Sequence, residues 1–407
     1  MNSAYALAEW AWSVDPSAND LVLARSSLID TVAVTLAARD HPLVRITKEL
    51  TEAAHWASTG HVLDFDDLHM ESTTHISVVI VPTVLAAGGS ANAYLAGAGV
   101  MARIGNALGW SHYARGWHAT CTAGAPGAAV AAAISLGLSV EETAQAICLA
   151  IPAAGGVQRA FGSAGKPLQV GFAAEAGLRA ARLARAGAQT DLRVMDDWLG
   201  LVGARHAGVD TTGSAIPGGL AIKLFPCCYA MQRPIGAMRE IRSRVAIRDI
   251  AAIHVSTPAD TVRPLIHHHP TTGLEGKFSL EYALSAALLD DFPGFSSFTD
   301  RAVQRSDSQS LMQLVTSDLP ETNDDNLLAG EVSVSVRLRD GSNVESTLAL
   351  PPGSPTLPPT AIEMAAKIES CGVDVPRLVG NLTWDNGADL LRRELPTAAR
   401  DVYRNDD

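Results

Sequence analysis

The sequence has 407 residues, of which 47% are hydrophobic and 18% are charged, and its net charge is −12. This length predicts more than one domain, and the apolar content predicts a folded globular chain instead of a disordered one. The acidic balance and the lack of any basic run argue against a nucleic-acid-binding protein. A small anionic ligand remains compatible with this charge, because a local site can be basic within an acidic protein.

The five cysteines show no CxxC pair and lie at Cys121, Cys148, Cys227, Cys228 and Cys371. This arrangement favours free thiols in a reducing compartment and gives little support to an iron–sulfur cluster. Residues 1–12 lack a basic segment followed by a long apolar core, so we expect no signal peptide and a cytoplasmic location. The uncharged stretches 76–102 and 119–140 are interpreted as buried helices, and no membrane interaction is expected.

The first 219 residues show apolar residues at helical spacing and no strand-like alternation. After Gly219 the pattern changes, and two segments alternate as strands, at 250–256 and in a hairpin over 331–350. Further helices are predicted at 277–289, 306–317, 359–371 and 388–401. The predicted fold is therefore mainly α. A large all-helical domain is expected to comprise residues 1–219 and 354–407, and an inserted, smaller α+β lid domain to comprise residues 220–353.

A concentration of titratable residues precedes the first uncharged stretch. Three histidines and three aspartates lie within fifteen residues: His61, Asp64, Asp66, Asp67, His69 and His75. Such groups are costly to bury unless they are paired or used in chemistry. A solvated acidic loop is the alternative interpretation, but the alternation of histidine with aspartate favours a functional site.

Four other residues are candidates for chemistry, each with a structural alternative. His118, at a loop-to-helix junction, is a candidate for proton transfer or a hydrogen-bonded core histidine. Lys166 follows a glycine-rich loop without P-loop spacing, which favours a carboxylate clamp over a nucleotide site. Lys223, isolated in an apolar run, either extends its ammonium toward solvent or takes part in chemistry, and Tyr282 is either a core aromatic or a hydroxyl donor. The run 267–269 of three histidines is interpreted as a polar loop, with a metal site as the alternative.

Together, these segments resemble the MmgE/PrpD family in their order and spacing over nearly the whole chain. The matching segments are DFDD (64–67), TH (74–75), GWH (116–118), KPLQVG (166–171), KLFP (223–226) and KFSLEY (277–282). The resemblance implies a helical domain with an α+β lid, usually in a homodimer, and no metal or organic cofactor. The family contains 2-methylcitrate dehydratases, cis-aconitate decarboxylases and iminodisuccinate epimerases.

The resemblance also implies the site residues. The family's catalytic positions fall on Asp64, His75, His118 and Tyr282, and its substrate-binding positions fall on Lys166 and Lys223. The two lysines would bind substrate carboxylates, and a histidine would move the proton, since imidazole titrates near the working pH. Which histidine is the acid and which the base stays open. Four positions depart from the family's pattern: Leu68 for Thr, Gly99 for Glu, Gln169 for His and Gln232 for His.

The activity implied first is that of a cofactor-free lyase, a hydro-lyase similar to 2-methylcitrate dehydratase that acts on a small polycarboxylate. An epimerase or a decarboxylase with the same site, or a silent carboxylate-binding homologue, are the alternatives. The six site residues are expected to converge on one pocket at the domain boundary. Two close lysines repel each other, so we expect an anion between Lys166 and Lys223.

Overall fold

The structure is a computed structural model that describes residues 2–204, 208–321 and 329–395. The helices of its first part are α1 (Ser3–Ser13), α2 (Ala18–Ala37), α3 (Pro42–Thr47), α4 (Glu52–His61), α5 (Ser77–Ala87), α6 (Ala91–Ala114), α7 (Ala119–Ser135), α8 (Val140–Ala150), α9 (Gly165–Arg185) and α10 (Val194–Leu201). Those that follow are α11 (Gln232–Arg242), α12 (Gly273–Gly276), α13 (Leu280–Leu289), α14 (Asp300–Val303), α15 (Ser306–Met312), α16 (Ala361–Ser370), α17 (Val375–Gly380) and α18 (Trp384–Glu394). The strands are β1 (Ile250–Ser256), β2 (Val315–Asp318), β3 (Val332–Leu338) and β4 (Asn343–Leu348).

Local sequence sets several helix ends. Ser139 accepts a hydrogen bond from the backbone of Glu142, whose carboxylate accepts one in return, so a capping box starts α8. Helix α5 ends at Gly88, which has a φ of 71° and closes the last turn in the left-handed conformation. A capping residue thus begins α8, and a left-handed glycine ends α5.

The helical part is built around α7, which packs against α5, α6, α8 and α9. Small residues allow this close packing: a Cβ added at Gly97 on α6 would lie 2.5 Å from the Cβ of Ala131 on α7. The prediction of a mainly α fold is confirmed. Among the described residues, no helix is both long enough and sufficiently apolar to span a membrane.

The four strands form one sheet in the order β2-β1-β3-β4. Strand β1 pairs with β2 in parallel and with β3 in antiparallel, and β3 pairs with β4 as the predicted hairpin. The alternating valines of β3, at positions 332, 334 and 336, are buried. Because successive side chains on a strand point to opposite faces, these valines attach the sheet to the core beneath it.

Two large clusters contain most of the buried apolar side chains in the described part of the chain. The first draws its residues from 4–220 and 371–395, so the last two helices pack on the helical part. The second draws most of its residues from 221–336, with a few from 68–161. Residues from both clusters therefore meet around the acidic stretch at 64–75, which gives a site there access to side chains from both halves of the chain.

Two element predictions differ from the structure. The segment 306–317, predicted as one helix, forms α15 up to Met312 and then strand β2, which pairs with residues Ile253–Ser256 of β1. The prediction was wrong over 315–317 because pairing with β1 supplies hydrogen bonds that local pattern does not reveal. The helix predicted at 388–401 is α18, from Trp384 to Glu394, and its predicted end at 396–401 lies outside the described residues.

Candidate active site

The three aspartates of the DFDD motif have three different sets of partners. Asp64 contacts two lysines, and Asp66 contacts two histidines. Asp67 accepts from the backbone N–H of Ser77 at 3.1 Å and from the Ser77 hydroxyl, so it satisfies the first backbone N–H of α5. All three carboxylates are buried. The stretch is therefore a paired, interior segment, and the alternative of a solvated acidic loop is wrong.

Asp64 lies between the two lysines predicted to bind substrate. Its Oδ1 is 2.9 Å from Nζ of Lys166 and 2.5 Å from Nζ of Lys223, which also donates to the Asp64 carbonyl oxygen at 3.0 Å. The φ of Asp64 is +54°, a conformation that aspartate tolerates better than most residues and that places its carboxylate at this point. Although burial opposes ionisation, the lysines hold the pKa of Asp64 well below its usual range. An internal carboxylate thus occupies the position between the lysines where an external anion was expected.

Backbone pairing carries Lys223 to this position. Leu68 and Ala221 exchange two backbone hydrogen bonds, of 2.9 and 2.8 Å, which join the acidic stretch to the segment before Lys223. Gln232 then bonds both backbone groups of Phe225, at 3.1 and 2.9 Å, and fixes the segment on the other side of Lys223. Leu68 and Gln232, two of the four positions that depart from the family's pattern, therefore help to hold the backbone on either side of Lys223.

Asp66 links two histidines. Its Oδ2 lies 2.8 Å from Nδ1 of His61 and 3.0 Å from Nδ1 of His75, and His75 Nδ1 is also 2.8 Å from the carbonyl oxygen of Asp67. The two imidazole rings meet edge to face at 4.7 Å. Burial lowers the pKa of His75 to about 3 and also lowers that of His61, so both rings are neutral at pH 7.

His118 precedes α7 in an extended conformation, with its backbone N–H bonded to Gly156 O at 2.9 Å. Its ring packs edge-on against Phe161, with 5.0 Å between the ring centroids. Its Nδ1 lies 2.7 Å from Nε2 of Gln169 and 3.3 Å from Sγ of Cys121. Burial and the nearby Lys166 ammonium hold the pKa of His118 well below its usual range, so this ring is neutral as well.

Four of the six predicted site residues line one small cavity of about 20 Å³: Asp64, His75, His118 and Lys166. Lys223 does not line this cavity, but its ammonium contacts the carboxylate of Asp64, which does. Tyr282 does not line it either, since its hydroxyl donates to the carbonyl oxygen of Ser297 within the second apolar cluster. The prediction that all six side chains converge on one cavity is therefore wrong. Four line the cavity, Lys223 reaches it only through Asp64, and Tyr282 lies away from it.

Gly99 also lies away from the cavity. A Cβ added there would lie 2.3 Å from the ring of Trp10 and 2.2 Å from the carbonyl oxygen of Ala215. The space that a longer side chain would need is thus filled by Trp10 and by backbone. The glycine at position 99 is therefore explained by packing, and it does not change the residues that line the cavity.

Sequence reasoning missed Lys277 and gave His61 no individual role. Both line a smaller cavity next to the first, together with Asp64 and Lys166. Lys277 is buried, and its ammonium donates to the carbonyl oxygen of Leu63. Lys277 could have been found from the sequence, because it is the first residue of the KFSLEY segment. The functional role was instead assigned to Tyr282, the last residue of that segment.

Lys277 provides a test by pH. Burial lowers the pKa of Lys277 to about 8, although Asp64 opposes this change. Between pH 8 and an unfolded-state pKa of about 10.4, the unfolded chain binds more protons at this residue, so its contribution to stability rises with pH. We expect the free energy of unfolding to rise between pH 7.5 and 9.5 by about 2 kcal/mol more in the wild type than in Lys277→Met. Urea denaturation at both pH values measures this, and identical pH slopes would contradict the depressed pKa.

Four buried side chains offer donor atoms within 4.8 Å of one another, as in a metal site: His61, Asp64, Asp66 and His75. The histidine run 267–269 is not part of this cluster. Two ammonium groups already neutralise Asp64, and they would repel a cation at the same carboxylate. We therefore expect turnover to survive dialysis against EDTA. Turnover that is lost on chelation and restored by one divalent ion would contradict this expectation.

Comparison with known proteins agrees with these motifs. The MmgE/PrpD N-terminal domain matches residues 52–210, and the MmgE/PrpD C-terminal domain matches residues 225–377. A cis-aconitate decarboxylase of Aspergillus terreus is 28% identical over 337 residues, covering 71% of this chain and 68% of that protein. The cis-aconitate decarboxylase-like protein oryM of Aspergillus oryzae is 26% identical over 366 residues, covering 78% and 74%.

The mouse cis-aconitate decarboxylase is 26% identical over 245 residues, which cover 56% of this chain and 49% of the mouse protein. The two domain matches together span both halves of the chain and include Asp64, His75, His118, Lys166 and Lys277, whereas Lys223 lies just before the second match. The resemblance inferred from the motifs is confirmed, and the chain belongs to the MmgE/PrpD family.

Proposed function

We propose that this protein is a cofactor-free lyase that decarboxylates a small polycarboxylate of the cis-aconitate class. The names of the similar fungal and mouse proteins support the reaction, and the buried cationic site supports the substrate class. The hydro-lyase activity that the motifs first suggested becomes the second candidate.

One observation carries the proposal: two buried lysines contact a single interior carboxylate, and a third buried lysine lines the adjoining cavity with it. Lys166 and Lys223 contact Asp64, and Lys277 lines the adjoining cavity with Asp64. Burying charge of one sign is costly, so such a group is retained where an anionic ligand shares it. A substrate with several carboxylates would take over the lysine contacts that Asp64 now makes.

The chemistry needs charge stabilisation and one proton. When the C–C bond to a carboxylate breaks, CO₂ leaves and its bonding electron pair stays on the substrate carbon. That pair delocalises toward a neighbouring carboxylate, where Lys166 can stabilise the developing negative charge. A proton from a histidine at the cavity then forms the new C–H bond. His118 lies on the cavity wall with Lys166 and is the residue placed to deliver it.

Dehydration is the second candidate because two histidines, His75 and His118, line the same cavity. A hydro-lyase needs a base to remove the proton next to a carboxylate and an acid to protonate the departing hydroxyl. A decarboxylase needs only the acid. The presence of two histidines at the cavity therefore supports a hydro-lyase as well. Identifying the reaction products distinguishes the two reactions.

We also propose that residues 220–353 act as a lid over the helical part and that the protein works as a homodimer in the cytoplasm. The second apolar cluster and the two lysines from this segment, Lys223 and Lys277, support the lid. Opening of the lid would separate these lysines from Asp64 and admit substrate.

The test is to incubate the protein with cis-aconitate, 2-methylcitrate and iminodisuccinate in D₂O and to follow the products by NMR. The proposal expects CO₂ loss from cis-aconitate with one deuteron in the product. Water loss from 2-methylcitrate alone would replace the proposal by the second candidate. Deuterium exchange in iminodisuccinate alone would indicate an epimerase, and no change in any of the three would indicate a silent homologue.

A further inference from the structure

The side-chain amide of Gln169 is fixed by the backbone of Val157. The Val157 N–H donates to Oε1 of Gln169 at 3.0 Å, and Nε2 of Gln169 donates back to the Val157 carbonyl at 3.3 Å. Rotating the amide by half a turn would place oxygen against oxygen and N–H against N–H. The orientation of the amide is therefore set by its surroundings, and its nitrogen is the atom that faces His118.

This orientation determines where His118 carries its proton. Gln169 Nε2 lies 2.7 Å from Nδ1 of His118 and can only donate, so Nδ1 must accept. Cys121 lies on the same side, with Sγ 3.3 Å from Nδ1, and burial raises the pKa of its thiol, so the S–H is retained and also donates. A neutral His118 with an accepting Nδ1 has its proton on Nε2, at the ring edge away from Gln169.

His75, on the same cavity, is held in the opposite form. Its Nδ1 faces two acceptors, the carboxylate of Asp66 at 3.0 Å and the carbonyl oxygen of Asp67 at 2.8 Å. Nδ1 must therefore donate, which leaves a lone pair on Nε2. The two neutral histidines of the cavity thus differ, since His118 offers a proton at Nε2 and His75 offers a place to receive one.

We propose that Gln169 is a positioning residue that holds His118 in the Nε2–H tautomer, so that His118 donates the proton that forms the new C–H bond. The ring left by this donation is anionic, shares the cavity with the Lys166 ammonium, and regains its proton at Nε2 from solvent when the product leaves. In the hydro-lyase alternative, His75 accepts the proton that is removed next to the carboxylate. The assignment of these roles rests on the proposed lyase function, whereas the tautomers themselves do not. An amide locked in this way donates at every pH, whereas the histidine that is frequent at this position in the family can donate or accept. The glutamine therefore fixes a direction of proton transfer that a histidine would leave open.

The test uses ¹⁵N-histidine-labelled protein without ligand at pH 8, in which two-dimensional ¹H–¹⁵N spectra distinguish the two imidazole tautomers. Signals of His118 and His75 are assigned by their disappearance in His118→Ala and His75→Ala. We expect a protonated Nε2 and a bare Nδ1 for His118, and the reverse for His75. A proton on Nδ1 of His118 in the wild type would overturn the proposal.

Gln169→Glu is the informative variant, because a carboxylate of nearly the same shape accepts where the amide donates. We expect a proton on His118 Nδ1 and a loss of turnover on the best polycarboxylate substrate of about 10²-fold or more, with KM nearly unchanged. Gln145→Glu is the matched control, since the Gln145 oxygen accepts from Thr190 N–H at 2.7 Å and its carboxylate can do the same. A Gln169→Glu protein with the wild-type tautomer and wild-type turnover would also overturn the proposal.

The spectra separate this inference from the proposed function. If the protein turns over no polycarboxylate, the lyase proposal fails, and the tautomers of the ligand-free protein still decide the role of Gln169. If turnover is present and His118 carries its proton on Nδ1, the function stands and the positioning role is wrong.

Discussion

Lys223→Met is expected to lower the free energy of unfolding by about 3 kcal/mol and to abolish tight binding of a tricarboxylate. Lys223 is fully buried, and its ammonium lies 2.5 Å from Asp64 Oδ1. Without it, the Asp64 carboxylate stays in the interior with Lys166 as its remaining close cation. Removing one partner of a buried ion pair costs more than the pair contributes, because the other charge is left uncompensated.

Urea denaturation measures the stability change, and calorimetry measures tricarboxylate binding. Lys48→Met is the matched control, since Lys48 is an exposed lysine beside Glu49 and is expected to change stability by about 0.5 kcal/mol or less. The double variant Lys223→Met/Asp64→Asn is expected to regain part of the lost stability, since it removes the carboxylate that lost its partner. A double variant less stable than Lys223→Met would show that the loss arises from packing and not from the unpaired charge.

Lys223 was identified from the sequence by its isolation in an apolar run. Lys223 is the only charged residue between Asp210 and Arg233, and such a residue must find a partner when the chain folds. The partner itself could not be identified, because Asp64 is 159 positions away and the contact depends on the backbone pairing of Leu68 with Ala221. Lys223 and Asp64 were each predicted as site residues, but their ion pair forms only when the folded chain brings them together.

Tyr282 and Lys277 show a different limit. Both belong to one motif, and the resemblance to the family favoured the tyrosine as the active group. In the structure, helix α13 directs the Tyr282 hydroxyl to Ser297, and Lys277, just before this helix, reaches toward the site. Local sequence does not determine which of two polar groups five residues apart faces a cavity, because the turn between them decides it.

The fold was predictable where one face of an element is buried. The valines of β3 alternate with polar residues, and the hairpin was found from that pattern. Strand β2 has four residues, of which the last three are exposed, so it has no hydrophobic alternation to detect. It exists because β1 offers an unpaired edge, and pairing at such an edge is a tertiary effect.

His118→Ala is expected to lower kcat by about 10²- to 10⁴-fold while changing KM little, because it removes the proposed proton donor and leaves the lysine contacts to substrate in place. Initial rates of CO₂ release over a range of cis-aconitate concentrations measure both constants. His254→Ala is the matched control, since His254 is an exposed strand histidine on β1. Its kcat should equal that of the wild type.

The alternative is a His118 that serves only as a hydrogen-bonded core residue beside Cys121 and Gln169. In that case His118→Ala would lower stability, and its kcat per folded molecule would stay within a few-fold of the wild type. A His118→Asn variant separates the two roles, because asparagine can still bond Gln169 but has no ring N–H to supply a proton at the cavity. If His118→Asn retained most of the turnover, the proton would have to come from elsewhere, and His75, the other cavity histidine, would be the next residue to replace.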